Sequence, residues 1–186
     1  MREKKIVALF GSPRKNANST ALADHIIAGA ESGGAKTESF TISDMDIRPC
    51  TGCDACKEDA SQNCIINDDM QSLYPKIKEA DALIIASPVY WFSVSAQTKL
   101  VIDRCYALLG EKENKLKGKR IAIALTYADE DPVSSGAINA IRMFQDMFNF
   151  VGADIAGMVY GSALNPGEIE ENKSLIEKAY KLGKHL

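Results

Sequence analysis

The chain reads as an α/β protein, a parallel sheet covered by helices on both faces, and three observations predict it. Five short apolar runs rich in β-branched residues alternate with longer stretches whose apolar residues recur at three and four. Such alternation is the pattern of a parallel sheet with helices on both faces. A chain of 186 residues, 46% apolar and 25% charged, can also bury roughly 70% of the surface its unfolded form exposes, so it holds a core without disulfide staples.

The first strand is placed at Lys5–Phe10, where an apolar run stops at Gly11, and the first helix follows near Ser19–Ala30. The second strand falls at Thr37–Ile42, with a helix at Asp69–Glu79. The third occupies Ala82–Ser87, ahead of Pro88, and leads to a helix at Ala96–Leu109 on which Leu100, Val101, Cys105, Leu108 and Leu109 share one face. The fourth strand, Arg120–Thr126, precedes a helix at Ala137–Phe150; the fifth, Asp154–Tyr160, precedes one at Glu168–Leu186. No repeat, low-complexity tract or linker divides the chain, so residues 1–186 are expected to form one domain. Five strands and five helices at this size fit a flavodoxin-like three-layer α/β/α sandwich with strand order 2-1-3-4-5. Ligands of such sheets sit beyond the carboxyl ends of the strands, which directs attention to the loops after strands one to four.

The charge balance excludes some partners. With 22 basic and 25 acidic side chains, a net charge of −3 gives no electrostatic reason to bind nucleic acid or an anionic membrane. The apolar run Ile6–Phe10 is too short for a signal segment or a span, and a cytoplasmic location is expected. Glu111–Arg120, with five Lys or Arg, reads as a solvated loop in preference to a nucleotide contact. The two histidines, His25 and His185, leave a Ser-His-Asp or Cys-His hydrolase without a placed base. Asp68 and Asp69 stand where a helix begins, and the helix dipole explains them without catalysis.

The loop after the first strand, Gly11-Ser12-Pro13-Arg14-Lys15-Asn16-Ala17-Asn18-Ser19-Thr20, is dense in donors. Ser12, Asn18, Ser19 and Thr20 offer hydroxyl or amide hydrogens, Arg14 a fixed cation, and the following helix its unpaired N–H groups and positive dipole end. Together they suit a terminal phosphate; capping alone would need only Asn18 or Ser19. A P-loop is excluded because Asn16 follows Lys15, and no G-x-G-x-x-G is present. Strands one and three end without the acidic residues a response-regulator pocket needs.

The loop after the third strand, Ser87-Pro88-Val89-Tyr90-Trp91-Phe92-Ser93, places three consecutive aromatics at the ligand-bearing edge. Aromatic faces and backbone amides beside a phosphate cradle are what a flat tricyclic ring needs; burial in the core or a subunit interface is the alternative use of such residues. These two loops, with Gln97-Thr98-Lys99 and Asp103-Arg104 in the helix that follows, resemble the NADPH-dependent FMN reductase family of flavodoxin-like proteins over nearly the whole chain. The resemblance implies FMN, its phosphate on Ser12, Arg14, Asn18, Ser19 and Thr20 and its ring against Pro88, Val89, Tyr90 and Trp91. It also implies that Thr126, Tyr127 and Ala128, with Ser134 and Gly136, complete the ring pocket, and that the chain forms a homodimer or homotetramer.

Four of the five cysteines crowd into Cys50-x2-Cys53-x2-Cys56-x7-Cys64. That spacing is compact iron-sulfur spacing, whereas structural zinc sites usually separate two Cys-x2-Cys pairs by a longer segment. Three chemistries stay open here: a 4Fe-4S cluster, free or reversibly oxidised thiols, and zinc. The arrangement also resembles the iron-sulfur flavoproteins of the same family, which carry a 4Fe-4S cluster beside FMN. Cys105 is expected to pack as a small apolar residue. Two functions are therefore carried forward. One is an oxidoreductase passing electrons from NAD(P)H through FMN to a small-molecule or protein acceptor, in which the flavin carries the chemistry and no side chain is assigned an acid or base role. The other is an electron relay holding FMN and a 4Fe-4S cluster, fed by a ferredoxin-type donor.

Overall fold

The computed structural model describes residues 2–58, 64–110 and 114–186. Strand β1 (Lys5–Phe10) lies between β2 (Lys36–Thr41) and β3 (Ala82–Tyr90) and pairs with both in parallel. A two-residue strand, β4 (Ser93–Val94), folds back antiparallel on β3, while β5 (Arg120–Tyr127) and β6 (Asp154–Ser162) extend the parallel sheet. The order is β2-β1-β3-β5-β6, which for the five long strands is the expected 2-1-3-4-5. The helices are α1 (Asn18–Ser32), α2 (Ala55–Glu58), α3 (Met70–Glu79), α4 (Ala96–Arg104), α5 (Ala137–Val151) and α6 (Lys173–Lys184). No described helix is long and apolar enough to cross a membrane.

Alternation along the strands sorts the core into two layers. Ile6, Ala8 and Phe10 face one side, against Leu22 and Ile26 of α1 and Leu175 and Ala179 of α6. Val7 and Leu9 face the other, against Leu73 and Ile77 of α3, Val101 of α4, and Phe144 and Phe148 of α5. Each fully buried Leu, Ile or Phe contributes about 1.5–3 kcal/mol, so a slip of one residue, which exchanges the two sets, is strongly opposed.

Three elements differ from the expected boundaries. The third strand does not stop at Ser87. The β1 ladder ends at Phe10↔Ala86, so Pro88, which has no N–H, faces no partner on that side and continues the strand opposite Thr126 of β5. The helix after it is cut at Arg104 and continues only as a 3-10 turn, Cys105–Leu108. The final helix is likewise split: Glu168–Glu171 is a 3-10 turn, and Asn172 starts α6 by accepting from the Leu175 N–H at 3.1 Å. Within the basic stretch, residues 111–113 lie outside the described residues, and Lys119 is not solvated as expected. It is buried, and its Nζ donates to the carbonyls of Lys78 (3.0 Å) and Ala80 (2.5 Å) at the end of α3.

Candidate flavin site and cysteine loop

The turns leaving β1, β3, β5 and β6 meet at the carboxyl edge of the sheet and enclose a cleft of about 190 Å³. Ser12, Arg14, Asn18 and Ser19 line it from the first turn, Pro88, Val89 and Tyr90 from the third strand, and Thr126, Tyr127 and Ala128 from β5. Lys15, Asn16 and Ala17 also reach it, as do Ala163, Leu164 and Pro166 from the turn after β6. That last turn was outside the four loops singled out from sequence, although it leaves the same sheet edge; the Ala163 N–H donates to the Tyr127 carbonyl at 2.7 Å and joins it to β5.

At the first turn the chain meets α1 without a side-chain cap. Ala17 is the N-cap residue, and neither Asn18 nor Ser19 caps. The Ser19 hydroxyl is buried with no hydrogen-bond partner, beside uncapped N–H groups of the first helical turn. An orphaned buried donor at a helix N-terminus fits an anion that arrives with the ligand. Asn18 is committed elsewhere: its Nδ2 donates to the carbonyls of Asn165 (2.8 Å) and Ala163 (3.4 Å), and its Oδ1 accepts from the Ile169 N–H at 3.3 Å. Its side chain thus fastens the turn after β6, and its backbone N–H is what remains for a phosphate. Arg14 lies with its guanidinium 5.7 Å from the centre of the Tyr90 ring, a cation-π approach on the cleft wall. Burial pushes the Tyr127 hydroxyl up, and the charges of Tyr160 and Asp131 add to that.

A set of buried hydroxyls holds the turns after β1 and β3 in register. Ser95 Oγ donates to the Gly11 carbonyl at 2.6 Å and accepts from the Thr98 N–H at 3.2 Å, capping α4. Its one proton being used, the 2.9 Å contact with Thr98 Oγ1 has threonine as donor. Ser87 Oγ accepts from the Ser95 N–H at 3.0 Å and donates to the Pro88 carbonyl at 2.9 Å. Gly11 is required here by space: a Cβ on it would stand 1.8 Å from Thr98 Oγ1.

Four residues assigned to the pocket by resemblance do not line the cleft. Thr20 is half-buried beyond it on α1. Trp91 stands 93% exposed on the β3–β4 turn. The Ser134 hydroxyl donates to Asp131 Oδ2 at 2.8 Å. Gly136, at φ +75°, begins α5 so close to Phe92 that a Cβ would lie 2.6 Å from the Phe92 Cα. Trp91 (φ +48°) and Phe92 (φ +66°) are both left-handed in a two-residue hairpin turn, a geometry that Asn-Gly usually supplies. The turn therefore stores strain directly after Tyr90, which lines the cleft.

The cysteine segment leaves the sheet after β2. Cys50 and Cys53 are exposed, Cys56 and Cys64 partly buried, and all are free thiols. Burial pushes the Cys56 thiol up; the Lys57 charge opposes this, and Cys64 and Cys50 lie near enough to raise it further. The Ala55 N–H and the Thr51 hydroxyl hold the exposed Cys53 thiol below its usual range. Among the described residues no three Cys, His, Asp or Glu are gathered to hold a metal ion. The donor set thus has the chemistry of a cluster site, four free thiols at iron-sulfur spacing, without their being gathered. Cys105 is separate: its thiol borders the apolar core, and burial pushes it up to about 12.

Comparison with known proteins accords with this geometry. The chain is 31% identical over 185 residues to an iron-sulfur flavoprotein of Methanocaldococcus jannaschii, covering 97% of this chain and 94% of that one. An iron-sulfur flavoprotein of Archaeoglobus fulgidus is 34% identical over 179 residues, 96% of this chain and 77% of that one. The fold matches the NAD(P)H:quinone oxidoreductase of Methanothermobacter marburgensis with a TM-score of 0.75 at 18% identity, over 99% of this chain and 97% of that one. The family model described as NADPH-dependent FMN reductase matches residues 4–160, and the chain belongs to that family.

Proposed function

We propose that the chain seats FMN in the cleft at the carboxyl edge of the sheet and works as an NAD(P)H-dependent oxidoreductase, passing electrons on to a second acceptor. The observation that carries the site assignment is the buried, unpartnered Ser19 hydroxyl at an uncapped helix N-terminus. Ser19, Ser12, Arg14 and the first N–H groups of α1 would hold the phosphate. Pro88, Val89, Tyr90 and the backbone of Thr126–Ala128 would take the ring, and Leu164 and Pro166 would close its open side. Bound there, FMN would supply the electron-carrying chemistry between the nicotinamide and the acceptor. The protein's part is to fix the anion, exclude water with the apolar walls and keep the two turns in register through Ser87, Ser95 and Thr98. Titration of flavin-free protein should show about one FMN per chain, and Arg14→Ala should lose about 1.5–3 kcal/mol of affinity if its charge meets the phosphate. A flavin-saturated preparation that retains no FMN would refute the reading.

A second reading, an electron relay, adds a 4Fe-4S cluster on Cys50, Cys53, Cys56 and Cys64. It is supported by the Cys-x2-Cys-x2-Cys-x7-Cys spacing of these free thiols and by the names of the two relatives above. A brown chromophore bleached by dithionite, with about four irons per chain, would support it. A yellow, iron-free protein from anaerobic cells that oxidises NADPH in steady state would leave the reductase alone. Assembly as a homodimer or homotetramer belongs to the same proposal, supported by Trp91, Phe92, Val133 and Ile138, which are apolar and exposed.

A further inference from the structure

The cysteine loop is tied to the body of the protein beside Cys56, where Lys57 Nζ donates to the carbonyls of Tyr106 (2.7 Å) and Leu109, and at its two stems. Arg104, the last residue of α4, is fully buried, and its guanidinium reaches both stems at once. Nη1 donates to the Arg48 carbonyl at 2.8 Å, two residues before Cys50, and to Asp68 Oδ2 at 2.5 Å, four residues after Cys64; Nη2 donates to Asp68 Oδ1 at 3.1 Å. Asp68 closes the stem from its side by accepting from the Arg48 N–H at 2.9 Å. On the Cys64 limb, Gln71 of α3 donates to the carbonyls of Cys64 (2.6 Å) and Ile66 (2.7 Å).

The other end of α4 carries the Ser95–Thr98 hydroxyls beneath the turn that holds Ser12 and Arg14. Ser95 and Arg104 are nine residues apart, about 14 Å of helical rise. One short helix thus fixes the flavin turns at its first residues and both stems of the cysteine loop at its last. A well-packed apolar pair would often cover the Arg104–Asp68 spot with no loss of stability. It could not hold a carbonyl from one stem and a carboxylate from the other.

We propose that Arg104, seconded by Gln71, is a positioning residue for a metal centre on Cys50, Cys53, Cys56 and Cys64, fixing where those thiols gather relative to the flavin cleft. This rests on the iron-sulfur reading above. Arg104 acts through Arg48 and Asp68, Gln71 through the backbone of the Cys64 limb.

The test compares wild type with Arg104→Lys, with Gln71→Leu, and with the double variant Arg104→Gln/Asp68→Asn, which leaves no unpaired buried charge. Two readouts are taken: alkylation rates of Cys56 and Cys64 in metal-free protein by mass spectrometry, and iron loss to a chelator after anaerobic reconstitution with iron and sulfide. The double variant should bind FMN within about twofold of wild type, alkylate Cys56 and Cys64 several times faster, and lose iron about 10–100-fold faster. Arg104→Lys, which keeps the charge but not the fork, should fall between. Should the double variant fail to fold, Arg104→Lys and Gln71→Leu carry the same readouts. Variants that fold, alkylate and hold iron as wild type does would overturn the proposal while leaving the cluster standing. A wild type that takes up no iron, with faster alkylation in the variants, would remove the cluster and leave Arg104 as an anchor of the loop alone. No iron and no change in alkylation would remove both.

Discussion

Replacing Ser19 with alanine should move two quantities in opposite directions. In the flavin-free chain the Ser19 hydroxyl is buried and without a partner, which costs about 1–3 kcal/mol relative to a satisfied group. Alanine removes that cost and is also the better helix former, by a few tenths of a kcal/mol. The flavin-free variant should therefore be about 1–3 kcal/mol more stable. At about 2–4 °C per kcal/mol for a chain of this size, calorimetry should show a rise of several degrees in Tm. Binding should respond the other way. A hydroxyl that donates to a phosphate is worth about 1.5–3 kcal/mol, so isothermal titration with FMN should show affinity about ten- to a hundredfold weaker. A flavin-free variant less stable than wild type would mean that the hydroxyl already has a partner. Unchanged affinity would mean that the phosphate lies elsewhere.

Other consequences can be checked directly. Gly11→Ala places a Cβ 1.8 Å from Thr98 Oγ1 and should lower Tm and abolish FMN uptake, with partial recovery of both when combined with Thr98→Ala. Trp91→Asn/Phe92→Gly suits the left-handed turn and should stabilise the flavin-free chain by about 1–3 kcal/mol in denaturant titration; a loss of stability would mean that the aromatic side chains contribute more than the turn costs. Arg104→Met strands Asp68. In the wild type, burial pushes that carboxyl up, but the hydrogen bonds from Arg104 and from the Arg48 N–H outweigh it and hold it below its usual range. Its stabilising effect is present above the unfolded carboxylate value and lost as pH falls through the lower folded one. Without Arg104 only the burial effect and the remaining backbone bonds act. The variant should lose about 3–5 kcal/mol near neutral pH and recover part of it on acidification toward about pH 4, where protonation neutralises the buried group. Thiol labelling at pH 8 should reach Cys53 first and leave Cys105 untouched until the chain unfolds, since one thiol is held low and exposed and the other is pushed up to about 12.

The sheet was legible because its central strands are buried apolar runs, and burial on two faces leaves a clear pattern; its order is not written in that pattern and came from the usual arrangement of a chain this size. Boundaries were less legible. Pro88 reads as a strand terminator, and only the place where the β1 ladder ends shows why it is not one. Ser12, Ser19, Pro88 and Tyr90 could be placed at one cleft from the general rule for ligands of parallel sheets. Leu164 and Pro166 could not, because nothing in Ala163-Leu164-Asn165-Pro166 speaks of a ligand until Asn18 is seen to draw it inward. Arg104 was the least legible. Beside Asp103 on an amphipathic helix it reads as a surface charge, and its true partner, Asp68, sits 36 residues away, at a helix start where the dipole alone already accounts for a carboxylate.

Trp91 is the chain's only tryptophan, and it stands almost fully in water on a stiff turn. Its emission should therefore change little when the core melts, and an unfolding curve recorded through it would report stability poorly. The same indole directly follows Tyr90 of the cleft wall, so if FMN binds and the chain assembles as proposed, energy transfer to the flavin or shielding by a neighbouring subunit should alter its light strongly. On the proposed function the molecule would carry a native optical probe of docking and occupancy, one nearly blind to the integrity of its own interior.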